Sequence, residues 1–162
     1  IEYKSKVKAT REVIQAIKEA DLIILGIGSL YTSIIPNLLD DRVKTAIIKS
    51  KAKKMYVSNI MTEHGETDGF KVSDCIKQLN KYIGEDAIDV VVANNKYIDS
   101  EIQKIYLKEQ ATPILIDEEN IKKMNVELIM ESLAQIKGNQ VRHDYLKTAL
   151  TIFTYLMRDD EF

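Results

Sequence analysis

Three places in the sequence combine residue types that could do chemistry. The first is Asp21–Asn37, D-L-I-I-L-G-I-G-S-L-Y-T-S-I-I-P-N, where an apolar run meets Gly26 and Gly28 and then the hydroxyls of Ser29, Tyr31, Thr32 and Ser33. Glycines let a backbone approach a phosphate, and the free N–H groups of a following helix start can bind it. The same residues also describe a tight strand-to-helix turn with N-capping hydroxyls. The second place is N-I-M-T-E-H-G-E-T-D-G-F, Asn59 to Phe70, which gathers Glu63, His64, Glu66 and Asp68 around Gly65 and Gly69. Carboxylates and imidazole are metal-ligand types, but their spacing matches no strong metal signature. A polar strand-end loop with Asx and Ser/Thr turns accounts for the same residues. A role in orienting ligand hydroxyls or a magnesium-bound phosphate lies between these readings. The third place is Q-V-R-H-D-Y, containing Arg142 and His143. Arginine forms bidentate bonds to phosphate, so Arg142 is a candidate anion clamp; the alternatives are a solvated side chain or a salt bridge to Asp144. His143 is read as capping or packing the last helix, and Tyr106 as a half-buried helix tyrosine. No serine sits on a G-x-S-x-G elbow, so no Ser–His–Asp triad is argued and no catalytic residue is assigned.

Elements must position these residues. Val13, Ile14 and Ile17 put a helix over Lys6–Ala20, and Leu22–Leu25 is a strand. A short helix is expected over Thr32–Leu39, starting near Ser33 because Pro36 is tolerated in a first turn. Asp40 and Asp41 can cap a helix to Lys49. Lys54–Asn59 is a strand and Ser73–Tyr82 a helix, with Gly84 as its C′ residue. Asp89–Ala93 is a buried-type strand. Ser100–Gln110 is a helix, Pro113–Ile116 a short strand and Glu118–Met124 a short helix. Val126–Met130 is a strand or an extended segment. Leu146, Ala149, Leu150, Phe153 and Met157 mark a helix over Asp144–Met157. The alternation implies an α/β fold, a parallel sheet with helices on both faces. Ligands in such sheets sit beyond the carboxyl ends of the strands. The loops Gly26–Ser33, Asn59–Gly69 and Asn94–Ser100 should therefore converge on one edge.

Bulk properties set limits. A chain of 162 residues with 45% apolar and 30% charged content is long enough for one domain with a sizeable core. The net charge of −2, with scattered Lys and Arg, argues against a nucleic-acid surface. No apolar run approaches a membrane span and no signal peptide is visible. The lone Cys75 excludes an internal disulfide, suits a cytoplasmic protein and is read as a small core residue. The chain starts at Ile1 rather than Met, from processing or because it is a piece of something longer.

G-I-G-S-L-Y-T-S-I-I-P-N-L-L (Gly26–Leu39), followed by S-K-A-K-K-M-Y-V-S-N-I-M-T-E-H-G-E-T-D-G-F (Ser50–Phe70), resembles the gluconeogenesis factor family. These are YvcK-like proteins, related to the 2-phospho-L-lactate transferases of the CofD-like superfamily. The family pattern has a proline where Ile27 stands. Members are about twice as long and open with a glycine-rich nucleotide loop that does not occur here, so the chain resembles a C-terminal half. The resemblance implies a Rossmann-like fold, of which this chain is the C-terminal portion. It implies a non-enzymatic cytosolic regulator of carbon metabolism and cell shape that binds uridine-diphosphate sugars, chiefly UDP-N-acetylglucosamine. It places Gly26, Gly28, Ser29, Tyr31, Thr32 and Ser33 on one wall of the ligand cleft. Asn59, Thr62, Glu66, Thr67 and Asp68 form the second wall, and Tyr106 and Arg142 fall where relatives contact the nucleotide. The transferase branch acts with magnesium on a deazaflavin precursor, and its first loop carries S-N-P where this chain has Ser29-Leu30-Tyr31, which favours the regulatory branch. Expected partners are a nucleotide sugar, with magnesium as a companion of the nucleotide, and a second copy in a homo-oligomer. The remaining alternative is an interaction or dimerisation module alone.

Overall fold

In the computed structural model, residues 1–5 and 7–159 are described, and four parallel strands form one sheet in the order β1-β2-β3-β4. These are β1 (Leu22–Leu25), β2 (Lys53–Val57), β3 (Val90–Asn94) and β4 (Glu127–Glu131). Pairing is in register from Leu22 with Lys53, Met55 with Val90, and Val90 with Glu127. The crossovers carry α1 (Arg11–Glu19) before β1, α2 (Asp41–Lys49), α3 (Val72–Ile83), and then α4 (Ser100–Lys108) with α5 (Glu118–Lys123). This is the α/β architecture that the alternation of the sequence predicts.

Strand residues alternate between the two faces at a period of two, and the central strands β2 and β3 are covered on both. Tyr56, Val91 and Ala93 point to one side, where Val43 and Ile47 of α2, Cys75, Ile76 and Leu79 of α3, and Ile121 of α5 cover them. Met55, Val57, Val90, Val92 and Ile129 point to the other, against Ile152 and Tyr155 of α6 (Tyr145–Leu156). Cys75 is buried, and desolvation pushes its thiol up to about 11, as befits an inert core residue.

The structure departs from the expected elements in informative ways. Helix α1 begins only at Arg11, because Thr10 caps it and Ala9 N donates instead to Asp40 Oδ2 at 2.6 Å; Lys6 lies outside the described residues. Asp40 also accepts from Arg42 and Val43 as the N-cap of α2, and the Arg42 guanidinium beside it holds its carboxyl well below the usual range. The helix expected near Ser33 starts earlier. Leu30–Ile34 is a π turn capped by Ser29, and Ile35–Leu38, with Pro36, is a 3-10 turn. Pro113–Ile116 forms no strand. Pro113 has no N–H for a ladder, and the segment instead serves the loop after β2 through Ile114 N→Ile60 O (2.9 Å) and Thr62 N→Thr112 O (2.7 Å).

Ala134–His143 is an antiparallel hairpin that the expected elements omit, with β5 (Ala134–Lys137) paired to β6 (Gln140–His143). The apolar stripe that marks α6 also behaves unexpectedly. Leu146, Leu150, Phe153 and Met157 face outward, and the packed side carries Thr148, Ile152 and Tyr155. No helix among the described residues is long and apolar enough to cross a membrane.

Gly26 separates the end of β1 from β2. Its φ is +116°, and an added Cβ would lie 2.6 Å from the Val57 carbonyl oxygen. At Gly65, φ is +81° but a Cβ would meet nothing within 4 Å. Gly26→Ala is therefore expected to cost about 2–4 kcal/mol in urea unfolding of the intact protein, from strain plus overlap. Gly65→Ala carries strain alone and is expected to cost about 1–2 kcal/mol.

Candidate functional site

Beyond the carboxyl ends of β1 and β2, the chain builds two facing loops. In the first, the Gly26–Ile27 peptide is cis and Gly28 packs tightly, with an added Cβ at 3.0 Å from Ser33 Cβ. Ser29 then caps the π turn. Its Oγ accepts from Thr32 Oγ1 (2.6 Å) and Thr32 N (3.3 Å), and it donates to the Glu66 carboxylate. Glu66 Oε2 also accepts from Tyr31 N at 3.2 Å. Two N–H groups available in principle to a phosphate, those of Tyr31 and Thr32, are thus engaged by the protein's own side chains. The Ser29–Glu66 bond ties the two loops together.

The second loop is held from within. Thr67 Oγ1 accepts from Glu63 N (2.8 Å) and Thr62 Oγ1 accepts from Thr112 N (2.9 Å); both threonines are buried. Asp68 accepts from Gly65 N (2.7 Å) and pairs with His64 Nδ1 (2.9 Å). Those bonds, His64 first, hold the Asp68 carboxyl below its ordinary range. Glu63 accepts from Asn59 Nδ2 at 3.1 Å. The loop's carboxylates therefore point to separate partners rather than to one centre. Among the described residues, no three His, Cys, Asp or Glu side chains are grouped to hold a metal.

The hairpin β5–β6 forms the remaining wall. Asn94 Oδ1, at the end of β3, accepts from Leu133 N (3.0 Å) and Ala134 N (2.8 Å), which fixes the start of the hairpin. His143 Nε2 bonds the Ser58 carbonyl at 3.1 Å, fixing its end against β2. Burial pushes the His143 imidazole below its ordinary pKa, opposed in part by that bond. Asp144, not His143, caps α6, accepting from Lys147 N at 3.1 Å. Arg142 is exposed, and its guanidinium donates to Gln140 Oε1 at 3.1 Å rather than to Asp144. Among the described residues no carboxylate forms an ion pair with it.

Between these walls lies a cleft of about 470 Å³, within the size range of small-molecule sites. It brings together Gly28, Asn59, Thr62, Tyr106 and Arg142. Gly26, Ser29, Tyr31, Thr32, Ser33, Glu66, Thr67 and Asp68 are not among its lining residues, although Ser29, Tyr31 and Glu66 form the bridge between the loops beside it. The lining also includes Ile27, Glu63, His143 and Tyr145, which the sequence reading leaves out of the site. The signal for His143 in the sequence was its place next to Arg142. Among the described residues Asn59 Oδ1 is buried without a hydrogen-bond partner, an unfilled acceptor at the cleft's edge. A wider hollow, of about 690 Å³, lies between α1 and α2 and is lined by Lys18, Thr45 and Lys49. It is remote from the strand ends and contains none of the candidate ligand-binding residues, so the strand-end cleft is the better candidate.

The family model of 2-phospho-L-lactate transferase CofD matches residues 1–134. The chain belongs to this family. It is similar to the gluconeogenesis factor of Bacillus subtilis, at 44% identity over 138 residues, covering 85% of this chain and 44% of the relative. It is also similar to the gluconeogenesis factor of Listeria innocua, at 37% identity over 150 residues, covering 93% of this chain and 46% of the relative. A crystal structure of a UPF0052 family protein from Bacillus halodurans superposes with a TM-score of 0.86 at 36% identity, covering 90% of this chain and 47% of that one. The chain thus spans less than half the length of these relatives.

The half-buried His143 makes stability depend on pH. Its folded pKa is depressed, so its contribution is fully present above the unfolded value of about 6.5 and is lost as pH falls through the folded value. Urea midpoints measured from about pH 7.5 to about pH 5 should fall more steeply for the native protein than for His143→Gln.

Proposed function

We propose that the strand-end cleft binds a uridine-diphosphate sugar, chiefly UDP-N-acetylglucosamine, and that the protein acts as a non-enzymatic regulator of carbon metabolism and cell shape. The observation that carries the reading is the exposed Arg142 guanidinium. It lines a cleft with Tyr106 and Gly28, and among the described residues its hydrogen-bond partner is the neutral Gln140 amide. A guanidinium without a carboxylate partner is suited to a diphosphate, and a tyrosine ring offers an apolar face to a base or sugar. The unfilled Asn59 acceptor adds a polar group for a hydroxyl or an acetamido N–H. The name gluconeogenesis factor, carried by the curated relatives, supports the link to carbon metabolism. The described residues form no metal cage of their own, and no step of this reading runs through a metal.

A second reading, transfer of a phospholactyl group, is favoured by the name of the matching family. Product formation from a deazaflavin acceptor and an activated phospholactate donor, with magnesium present, would support it; no turnover would count against it.

Calorimetric titration of UDP-N-acetylglucosamine into the intact protein tests the first reading. Saturable heat is expected, and none at millimolar ligand would overturn it. Arg142→Ala should weaken binding by about 1.5–3 kcal/mol. An unchanged affinity would remove Arg142 from the site.

A further inference from the structure

Tyr106 does more than line the cleft. It sits near the end of α4, half-buried against Ile60, Met61, Ile98, Ala134 and Val141. Its hydroxyl accepts a hydrogen bond from Val141 N at 2.8 Å. Val141 precedes Arg142 in β6, and its side chain is buried, so its N–H cannot turn to bulk water without moving the strand. A two-stranded hairpin is marginal alone and takes its position from what it is tied to. Here Asn94 and Lys96 hold the β5 end and His143 holds the β6 end at Ser58. The Tyr106 hydroxyl adds a tie beside the guanidinium-bearing residue, and it comes from a helix outside the hairpin.

We propose that Tyr106 is a positioning residue: its hydroxyl clamps β6 at Val141 and so sets Arg142 over the cleft. The inference rests on the reading of the cleft as an anion-binding site for its functional consequence. The clamp itself is a property of the unliganded protein. Sequence alone presents Tyr106 as a half-buried helix tyrosine or as a ligand contact. The bond to Val141 N gives its hydroxyl a third role, because the atom nearest to β6 is engaged with backbone before any ligand arrives. The ring remains part of the cleft lining.

Tyr106→Phe separates ring from hydroxyl, since it keeps the packing and deletes the acceptor. Amide hydrogen exchange of the intact, ligand-free protein should show Val141 and Arg142 exchanging about five- to tenfold faster in Tyr106→Phe, the loss expected for one hydrogen bond. Exchange in β3 should stay unchanged. Unchanged exchange at Val141 would overturn the clamp whatever the ligand does. Affinity for UDP-N-acetylglucosamine is the second arm. Tyr106→Phe should weaken binding several-fold in the native background and have almost no effect in the Arg142→Ala background, because the hydroxyl acts through Arg142. An equal loss in both backgrounds would place the hydroxyl on the ligand itself and overturn the positioning role. Loss of fold alone would lower the urea midpoint without this dependence on Arg142. A native protein that binds no nucleotide sugar would sink the functional reading, and the exchange arm would then decide the clamp by itself.

Discussion

The close approach of Gly26 to the Val57 carbonyl is the constraint on which the site depends. A side chain there would collide with β2, and the backbone adopts a φ that side-chain-bearing residues rarely take. The approach lets the chain leave β1 and turn at once across the end of β2. That path brings Ser29 within reach of Glu66, and the resulting bond joins two loops that follow different strands. With the loops joined, Gly28 and Asn59 face the same space. The carboxyl ends of parallel strands always lie on one edge of the sheet; here a glycine and a serine–glutamate contact turn that edge into a cleft.

The hydrogen bonds around the cleft share a logic. Several polar groups of the two loops are bonded to another part of the protein. Thr67 is spent on Glu63 N, Thr62 on Thr112 N, and Asp68 on Gly65 N and His64. These bonds make rigid walls. What is left for a partner molecule is small: the Arg142 guanidinium, the Asn59 Oδ1, and the exposed edges of Tyr106 and Gly28. A rigid frame with a few convergent polar groups is how small-molecule sites obtain orientation without large reorganisation. The chain spans less than half the length of its relatives, and α6 presents Leu146, Leu150 and Phe153 outward.

The sheet was legible because its strands read as apolar runs: Val90–Ala93 is buried on both faces, while Leu22–Leu25, at the sheet's edge, leaves Ile24 exposed. The crossover helices were legible from their spacing and their caps, Asp40 and Gly84 above all. The hairpin was missed although its signal is present: Lys137-Gly138-Asn139-Gln140 is a two-residue Gly-Asn turn between alternating segments, and Gly138 has a φ of +58°. The outward face of α6 was not legible, since periodicity identifies an apolar stripe but not what covers it. The carboxylates of Glu63, Glu66 and Asp68 are neighbours in sequence, yet turns send them to Asn59, Ser29 and His64. Their separation follows from backbone geometry that residue type alone does not encode. Of the Gly26–Phe70 residues that the family resemblance singled out, Gly28, Asn59 and Thr62 line the strand-end cleft.

The central claim is that a nucleotide sugar binds at the strand-end edge, between the Gly28 turn and the β5–β6 hairpin. Mapping backbone amide chemical-shift changes during titration of the intact protein with UDP-N-acetylglucosamine tests it most directly. The predicted result is a saturable set of changes centred on Gly28, Asn59, Thr62 and Val141–His143. Changes confined to the hollow between α1 and α2, around Lys18, Thr45 and Lys49, would contradict it, as would a spectrum that does not respond.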